Sequence, residues 1–110
     1  MDPLHEEEDR RRRHELRSFL MHRRELLDPP DLGLPRTGRR RVPGLRRGEV
    51  AELVGVSVEW YRFFESGRSV RVSPQFVARL SRALRLSAAH EATLFRLALP
   101  ELYRFELLAG

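Results

Sequence analysis

The sequence contains no cysteine and no lysine, and no apolar run approaches the length that a membrane span needs. Without cysteine, the chain has neither a disulfide framework nor a thiolate metal site. Its first residues are acids followed by arginines and lack the apolar core of a signal peptide. These absences predict a soluble, cytoplasmic protein. A length of 110 residues allows one small domain of five or six helices, but not two domains.

Motifs for catalysis are also missing. The four histidines, His5, His14, His22 and His90, do not have metal-ligand spacing with carboxylates. No glycine-rich phosphate loop is present, and no Ser/His/Asp set stands out from the background. We therefore expect no enzyme activity, no metal and no cofactor. His14 and His22 are predicted to be exposed.

Positive charge is concentrated in one part of the chain. All 21 basic residues are arginine, and the formal net charge is +5. Residues 35–48 hold six arginines and no acidic residue, whereas residues 1–34 and 49–68 each carry a small excess of acids. Repulsion within this basic run opposes folding unless anions screen it. The expected partner is therefore a polyanion.

Two short helices are predicted between residues 49 and 68, EVAELVGVSVEWYRFFESGR. Val50, Ala51, Leu53 and Val54 form one apolar helical face, which Gly55 ends. In the second helix, Ser57 caps the start by accepting a hydrogen bond from the amide of residue 59 or 60, and Gly67 closes the end. The inward face of the second helix is predicted to be Tyr61, Phe64 and Glu65. This is helix-turn-helix spacing.

The same segment resembles the helix-turn-helix of the Cro/cI repressor-like (XRE) family. Ala51 matches the small packing site of that family, Gly55 its turn glycine, and Glu65-Ser66-Gly67-Arg68 its Glu-x-Gly-Arg/Lys ending. The longer stretch GRRRVPGLRRGEVAELVGVSVEWY resembles regulators that carry an MmyB-like ligand-binding domain after the DNA-binding domain. The resemblance also implies an ion pair between Arg24 of helix 1 and Glu65, with Arg23 as the alternative partner.

The resemblance implies an all-α, five-helix, lambda-repressor-like domain over residues 15–99, with a long basic loop between helices 1 and 2. Residues 1–14 are predicted to be a charged extension, either an exposed helix or a disordered tail. Residues 100–110 are an apolar segment that forms an extra helix, a dimer contact or the start of a ligand-binding domain. A small-molecule effector is expected only if the parent protein contains that domain.

Apolar spacing predicts the remaining core. Helix 1 is expected to continue to Pro29, and residues 28–44, with four prolines and three glycines, are expected to contain no regular structure. In that loop, Leu32 and Leu34 are candidates to pin its first half to the domain surface. Ser73 and Ser87 are expected to cap helices 4 and 5. The predicted core residues of these three helices are Leu16, Phe19, Leu20, Leu27, Phe76, Val77, Leu80, Leu84, Leu94, Phe95, Ala98 and Leu99.

The favoured function is sequence-specific binding of double-stranded DNA by a homodimeric transcription regulator, associated with the nucleoid when bound. The side chains expected to read bases from helix 3 in the major groove are Val58, Glu59, Arg62 and Phe63. Those expected to contact the DNA backbone are Arg36, Arg39, Arg40, Arg41, Arg46, Arg47, Ser57, Trp60, Arg68 and Arg71. A stripe of Leu102, Phe105 and Leu108 is predicted to support the dimer.

A protein-interaction module that keeps the fold without specific DNA recognition is the alternative. It is motivated by the unusual reading helix, where relatives carry small polar residues at the positions of Val58, Glu59, Trp60, Arg62 and Phe63. Aromatic side chains among them suit protein interfaces. RNA is a weaker third partner because no aromatic single-strand platform is visible. The arginine-rich run favours DNA, since a pure protein interface does not need six uncompensated cations beside the motif.

Overall fold

The structure is a computed structural model that describes residues 3–33, 44–68 and 71–102. Within these ranges it is all-helical, as predicted, with five α-helices, one 3₁₀ helix and no strand. The α-helices are α1 (Pro3–Glu25), α2 (Arg47–Val54), α3 (Val58–Glu65), α4 (Pro74–Ala83) and α5 (Ala88–Ala98), and the 3₁₀ helix spans Pro29–Leu32. No helix in the described ranges is both long and apolar enough to span a bilayer.

The helices enclose one core in which α1 packs on α3 and α5, and α4 packs on α2 and α5. Most predicted core residues are buried, but Phe19, Leu27, Phe95 and Ala98 are only half-buried. The buried apolar residues are Leu16, Leu20, Leu45, Val50, Ala51, Val54, Tyr61, Phe64, Phe76, Val77, Leu80, Leu84, Leu94, Leu97 and Leu99. Sequence analysis missed Leu45 and Leu97 in this set.

The charged N-terminal segment is part of α1, a single helix of 23 residues. Within it, Arg12 donates a hydrogen bond of 2.7 Å from Nη1 to the carbonyl oxygen of Leu97 near the end of α5. Arg12 and Arg13 also pair with Asp9 one turn earlier. Arg12 therefore holds α1 against the C-terminal end of α5, where the helix dipole favours a cation. His14 and His22 are exposed, as predicted.

The end of α1 differs from the prediction. The helix stops at Glu25, four residues before Pro29, so the prediction that the proline ends it was wrong. The carbonyl oxygen of Arg24 accepts hydrogen bonds from the amides of Leu27 at 3.2 Å and Leu45 at 3.0 Å. Leu45 lies 21 residues further along the chain. The carbonyl of Arg24 at the end of α1 is therefore bonded to a residue that is distant in sequence.

The prediction that residues 28–44 contain no regular structure was also wrong for their first part. Pro29–Leu32 forms a 3₁₀ helix, since proline fixes φ at a value that this helix accepts. The guanidinium of Arg85, which follows α4, donates to the carbonyl oxygen of Asp31 at 2.8 Å and ties the 3₁₀ helix to the domain. The predicted anchoring by Leu34 lies outside the described residues, as does the side chain of Leu32.

Candidate nucleic-acid interface

The turn between α2 and α3 is fixed by one glycine and one serine. Gly55 adopts a left-handed conformation at φ +77°, and its amide and that of Val56 bond to carbonyls in the last turn of α2. Ser57 then begins α3, and its Oγ accepts a hydrogen bond of 3.1 Å from the amide of Trp60. A left-handed glycine stop followed by a serine cap is the turn that the sequence predicted.

Gly67 closes α3 through the two hydrogen bonds of a Schellman motif. The amide of Arg68 donates to the carbonyl of Phe63, and the amide of Gly67 donates to that of Phe64, both at 3.2 Å. Gly67 has φ +82°, and an added Cβ would lie 3.0 Å from the carbonyl oxygen of Arg13. The end of α3 is therefore seated directly on α1.

The inward face of α3 consists of Tyr61, Phe64 and Glu65, all of which are buried. Trp60 is half-buried and stacks on Phe64, with ring centroids 5.7 Å apart and an interplanar angle of 7°. It also meets Phe76 of α4 edge-on at 4.8 Å. Trp60 thus belongs largely to an aromatic cluster that fixes the rotation of α3 on its neighbours. This packing turns Glu59, Arg62 and Phe63 outward.

The start of α2 is capped in a way that sequence analysis did not foresee. Arg46 is the N-cap residue, and its side chain has no acceptor to offer the amides of the first turn. Glu49, three residues later, accepts a hydrogen bond of 2.8 Å from the backbone amide of Arg46. This is the reciprocal half of a capping box. Arginines at a helix N-terminus are repelled by the positive end of the helix dipole, and the carboxylate of Glu49 reduces this repulsion for Arg46 and Arg47.

The structure brings Arg24 and Glu65 together inside the domain. Arg24 Nε and Nη2 donate to the two carboxylate oxygens of Glu65 at 2.9 and 2.5 Å, and Arg24 Nη1 donates to the carbonyl of Leu45 at 2.8 Å. Arg24 is 7 % exposed and Glu65 2 %. Arg23, the alternative partner, forms no hydrogen bond or ion pair with Glu65 among the described residues, and its Nε is buried without a hydrogen-bond partner.

Glu65 has a second cationic partner that the sequence did not reveal. Arg47 Nε lies 3.3 Å from Glu65 Oε1, the same oxygen that accepts from Arg24. In contrast to Arg24, the Arg47 side chain is 44 % exposed. One buried carboxylate thus connects a buried arginine of α1 to a surface arginine at the first position of α2.

The phenol of Tyr61 lies beside this carboxylate. Its hydroxyl oxygen is buried without a partner in hydrogen-bond geometry. Burial raises the pKa of Tyr61 well above the usual value, and the nearby negative charge of Glu65 raises it further. The phenol therefore stays neutral across the physiological pH range, and the charge of Glu65 is balanced by arginines.

A cleft of about 630 Å³ opens where the C-terminal part of α1 and the starts of α2 and α3 meet. Arg46, Arg47 and Arg62 line it, together with Val58, whose Cγ2 would lie 3.8 Å from a Cβ on Gly48. Val58 and Arg62, which are predicted to read bases, therefore line the same cleft as Arg46 and Arg47, which are predicted to contact the DNA backbone. The remaining lining residues are Met21, Arg24, Glu25, Gly48, Glu49 and Glu52.

The other predicted contacts are more widely spread. Phe63 is 44 % exposed, and the guanidinium carbon of Arg68 lies 4.8 Å from its ring centroid in cation–π geometry. Arg68 and Arg71 line a second cleft of about 620 Å³ with Arg12 and Arg13 of α1. The predicted loop contacts Arg36, Arg39, Arg40 and Arg41 lie outside the described residues. In the part of the chain that the structure describes, no group of His, Asp and Glu has the arrangement of a metal site.

The helices α2 and α3 with the turn between them form a helix-turn-helix, and a family match supports a DNA-binding domain of the XRE-like kind. A family model described as a helix-turn-helix domain matches residues 10–94, well over half of the chain. The chain belongs to this helix-turn-helix domain family. The match covers the domain and does not single out the MmyB-like subtype. Comparison with curated proteins and with solved structures gave no significant match.

Proposed function

We propose that the protein is a transcription regulator that binds double-stranded DNA sequence-specifically, with α3 in the major groove. One observation carries the proposal. The arginines at the start of α2 line the same cleft as Val58 and Arg62 of α3. A DNA backbone that crosses the start of α2 places α3 against base edges, which is how helix-turn-helix proteins dock.

Base reading is assigned to the outward face of α3. Arg62, exposed at the cleft, has the forked donors that match O6 and N7 of guanine. Glu59 is exposed one turn earlier and can accept from N4 of cytosine. Val58 and Phe63 offer apolar contact with a thymine methyl group. All four contacts are part of the proposal.

Backbone contacts supply affinity that does not depend on sequence. Arg46 and Arg47 at the cleft, and Ser57, whose hydroxyl retains a donor after capping α3, are the contacts nearest to the reading helix. Trp60 can contact the DNA backbone only through the part of its side chain that the packing on Phe64 and Phe76 leaves exposed. Further contacts are assigned to Arg68, Arg71 and the loop arginines Arg36, Arg39, Arg40 and Arg41.

The proposed assembly is a homodimer on DNA, which places two reading helices about 34 Å apart, one helical turn. Leu102 is exposed at the end of the described chain, and the rest of its apolar stripe, Phe105 and Leu108, lies outside the described residues. A cytoplasmic, nucleoid-associated location and membership of the MmyB-like subtype belong to the same proposal. An effector enters it only with a ligand-binding domain in the parent protein.

Selection of bound sequences from random duplexes tests the proposal as a whole. We expect an inverted repeat whose half-sites are centred about one helical turn apart, because a two-fold dimer presents the same helix twice. Sedimentation on the recovered duplex should then give two chains per site. A single half-site bound by one chain would contradict the dimer but not DNA binding. Selection without enrichment would favour the alternative, a protein-interaction module that uses the exposed ring of Phe63.

Substitutions of Arg62 and of the loop arginines are expected to weaken binding in different ways. Arg62→Ala should cost about 1–3 kcal/mol on the cognate duplex and relax discrimination at one base pair. Alanine at Arg39, Arg40 and Arg41 should weaken binding to all sequences and reduce the log–log salt slope by about 0.9 for each phosphate that is no longer neutralised. Titrations on cognate and scrambled duplexes at several salt concentrations separate the two results.

Arg96→Ala provides the charge control for these titrations. Arg96 is exposed on α5, which packs against α1 and α4 rather than against the helix-turn-helix pair. Arg96→Ala removes the same charge as Arg62→Ala but far from the proposed DNA interface. We therefore expect only a small decrease in affinity and no change in discrimination between base pairs. If Arg62→Ala lowered affinity for cognate and scrambled duplexes equally, Arg62 would bind phosphate and the assigned reading face would be wrong.

A further inference from the structure

We propose that Glu65 is a positioning residue for DNA binding: from inside the core it holds the surface arginine Arg47 in the orientation that receives a phosphate. The inference rests on the proposed function, because it takes the DNA backbone to cross the cleft that Arg47 lines. It gives the buried carboxylate a role beyond the internal ion pair with Arg24.

The carboxylate of Glu65 is held in place by contacts other than the one with Arg47. Arg24 binds both of its oxygens, and Arg24 itself is held by the carbonyl of Leu45. Because Glu65 is 2 % exposed, water does not compete for these hydrogen bonds. The oxygen that faces Arg47 therefore belongs to a hydrogen-bonded network that joins α1, α3 and Leu45, two residues before α2.

Arg47 is anchored at one side of its guanidinium and accessible elsewhere. Its Nε lies 3.3 Å from Glu65 Oε1, while 44 % of the side chain is exposed. An arginine carries five N–H donors in a planar fork, so an anchored Nε leaves the two Nη groups for a phosphate. A surface arginine without such a contact loses side-chain entropy when it binds a phosphate. Because Glu65 already restricts the rotamers of Arg47, less entropy remains to be lost on binding.

Charge and positioning predict opposite effects when Glu65 is replaced. Its negative charge lies close to an arginine that is proposed to attract phosphate. If charge alone mattered, a neutral residue at position 65 would make the cleft more positive and binding tighter. If Glu65 positions Arg47, the same change releases the guanidinium and binding becomes weaker despite the added net positive charge. The sign of the effect therefore decides between the two roles.

The test uses Glu65→Gln and a labelled, mixed-sequence duplex of about two helical turns. We expect a severalfold decrease in affinity and a log–log salt slope that is smaller by about 0.9, the value for one neutralised phosphate. Glu52→Gln is the matched control, since Glu52 is an exposed acid that lines the same cleft. It makes the same charge change without releasing Arg47, so its affinity should rise. Equal or tighter binding by Glu65→Gln would overturn the inference.

An Arg47→Ala background shows whether the effect of Glu65 passes through Arg47. There, Glu65→Gln should leave the salt slope unchanged, because the guanidinium that it releases is already absent. A further fall of the slope in this background would contradict the inference. Circular dichroism establishes that each variant is folded at the temperature of the titration, so that weaker binding does not result from unfolding.

If Glu65→Gln does not fold, the wild-type chain provides the readout by NMR. The Nε–H signal of Arg47, identified by its absence in Arg47→Ala, should show a higher order parameter than that of exposed Arg96, with and without the duplex, because an arginine held by an ion pair moves less. An order parameter as low as that of Arg96 would overturn the inference. If Arg62→Ala then still relaxed discrimination as expected, the proposed function would stand, whereas a wild-type chain with no affinity for duplex DNA would overturn both.

Discussion

Replacing Arg24 by methionine is expected to lower the free energy of unfolding by about 3–5 kcal/mol, the cost of breaking a buried ion pair from one side. The change removes two hydrogen bonds to Glu65 and one to the carbonyl of Leu45. Arg47 is too exposed to compensate the stranded carboxylate. Urea denaturation followed by circular dichroism measures the decrease.

Arg47→Met is the control for this experiment, because it makes the same substitution at the other cation of Glu65. Since Arg47 is 44 % exposed, its removal should cost no more than about 1 kcal/mol. Adding Glu65→Leu to Arg24→Met should restore part of the stability, because no unpaired charge then remains in the core. Equal destabilisation by Arg24→Met and Arg47→Met would show that burial does not set the strength of these two interactions.

Gly44→Ala is expected to destabilise the domain by about 2–4 kcal/mol, the sum of left-handed backbone strain and a packing clash. Gly44 has φ +78°, and an added Cβ would lie 2.5 Å from the Cα of Glu25 and closer still to the carbonyl oxygen of Arg24. These are backbone atoms, so a side-chain rotation does not relieve the overlap. The measurement is again the free energy of unfolding in urea.

Gly55→Ala separates the two contributions. Gly55 has nearly the same conformation, at φ +77°, but an added Cβ meets no atom within 4 Å. Its cost should therefore reflect backbone strain alone, about 1 kcal/mol. The difference between the two variants gives the cost of the clash at Gly44. If both variants were destabilised equally, the close seating of Gly44 on the end of α1 would be contradicted.

The sequence was sufficient to predict a helix end where the residue that caps it is adjacent in the chain. Ser57, Ser73 and Ser87 each accept a hydrogen bond from the amide three residues later, as a serine cap predicts. Gly55 and Gly67 take the left-handed conformation expected of glycines that end helices. The pattern of apolar residues likewise identified most of the core of α2, α3 and α4.

Features that depend on distant segments were missed. Leu45 is fully buried, but it stands alone between a glycine and two arginines, where no periodicity marks it as core. Its docking on Arg24 also explains why α1 ends before Pro29. The pair of Arg24 and Glu65 came from family resemblance rather than from spacing. Nothing local connects Arg47 with Glu65, because the two residues meet only when α2 and α3 have packed.

One missed feature had a readable signal. Glu49 follows the N-cap residue by three positions, which is the place of the acid in a capping box. An arginine at the N-cap hid it, since the motif is usually recognised by its serine or threonine. In this chain the acid alone is the more informative half, because it compensates the cations at the same helix end.

The hydrogen bond between Arg12 and the carbonyl of Leu97 can form only late in synthesis. The two residues are 85 positions apart, so nearly the whole domain is translated before they can meet. Until α5 has left the ribosome, the apolar face of α1 has only part of its final cover, and closing so long a loop is slow relative to local helix formation. Of the five described α-helices, α1 is therefore translated before the others but completes its packing only when α5 is available.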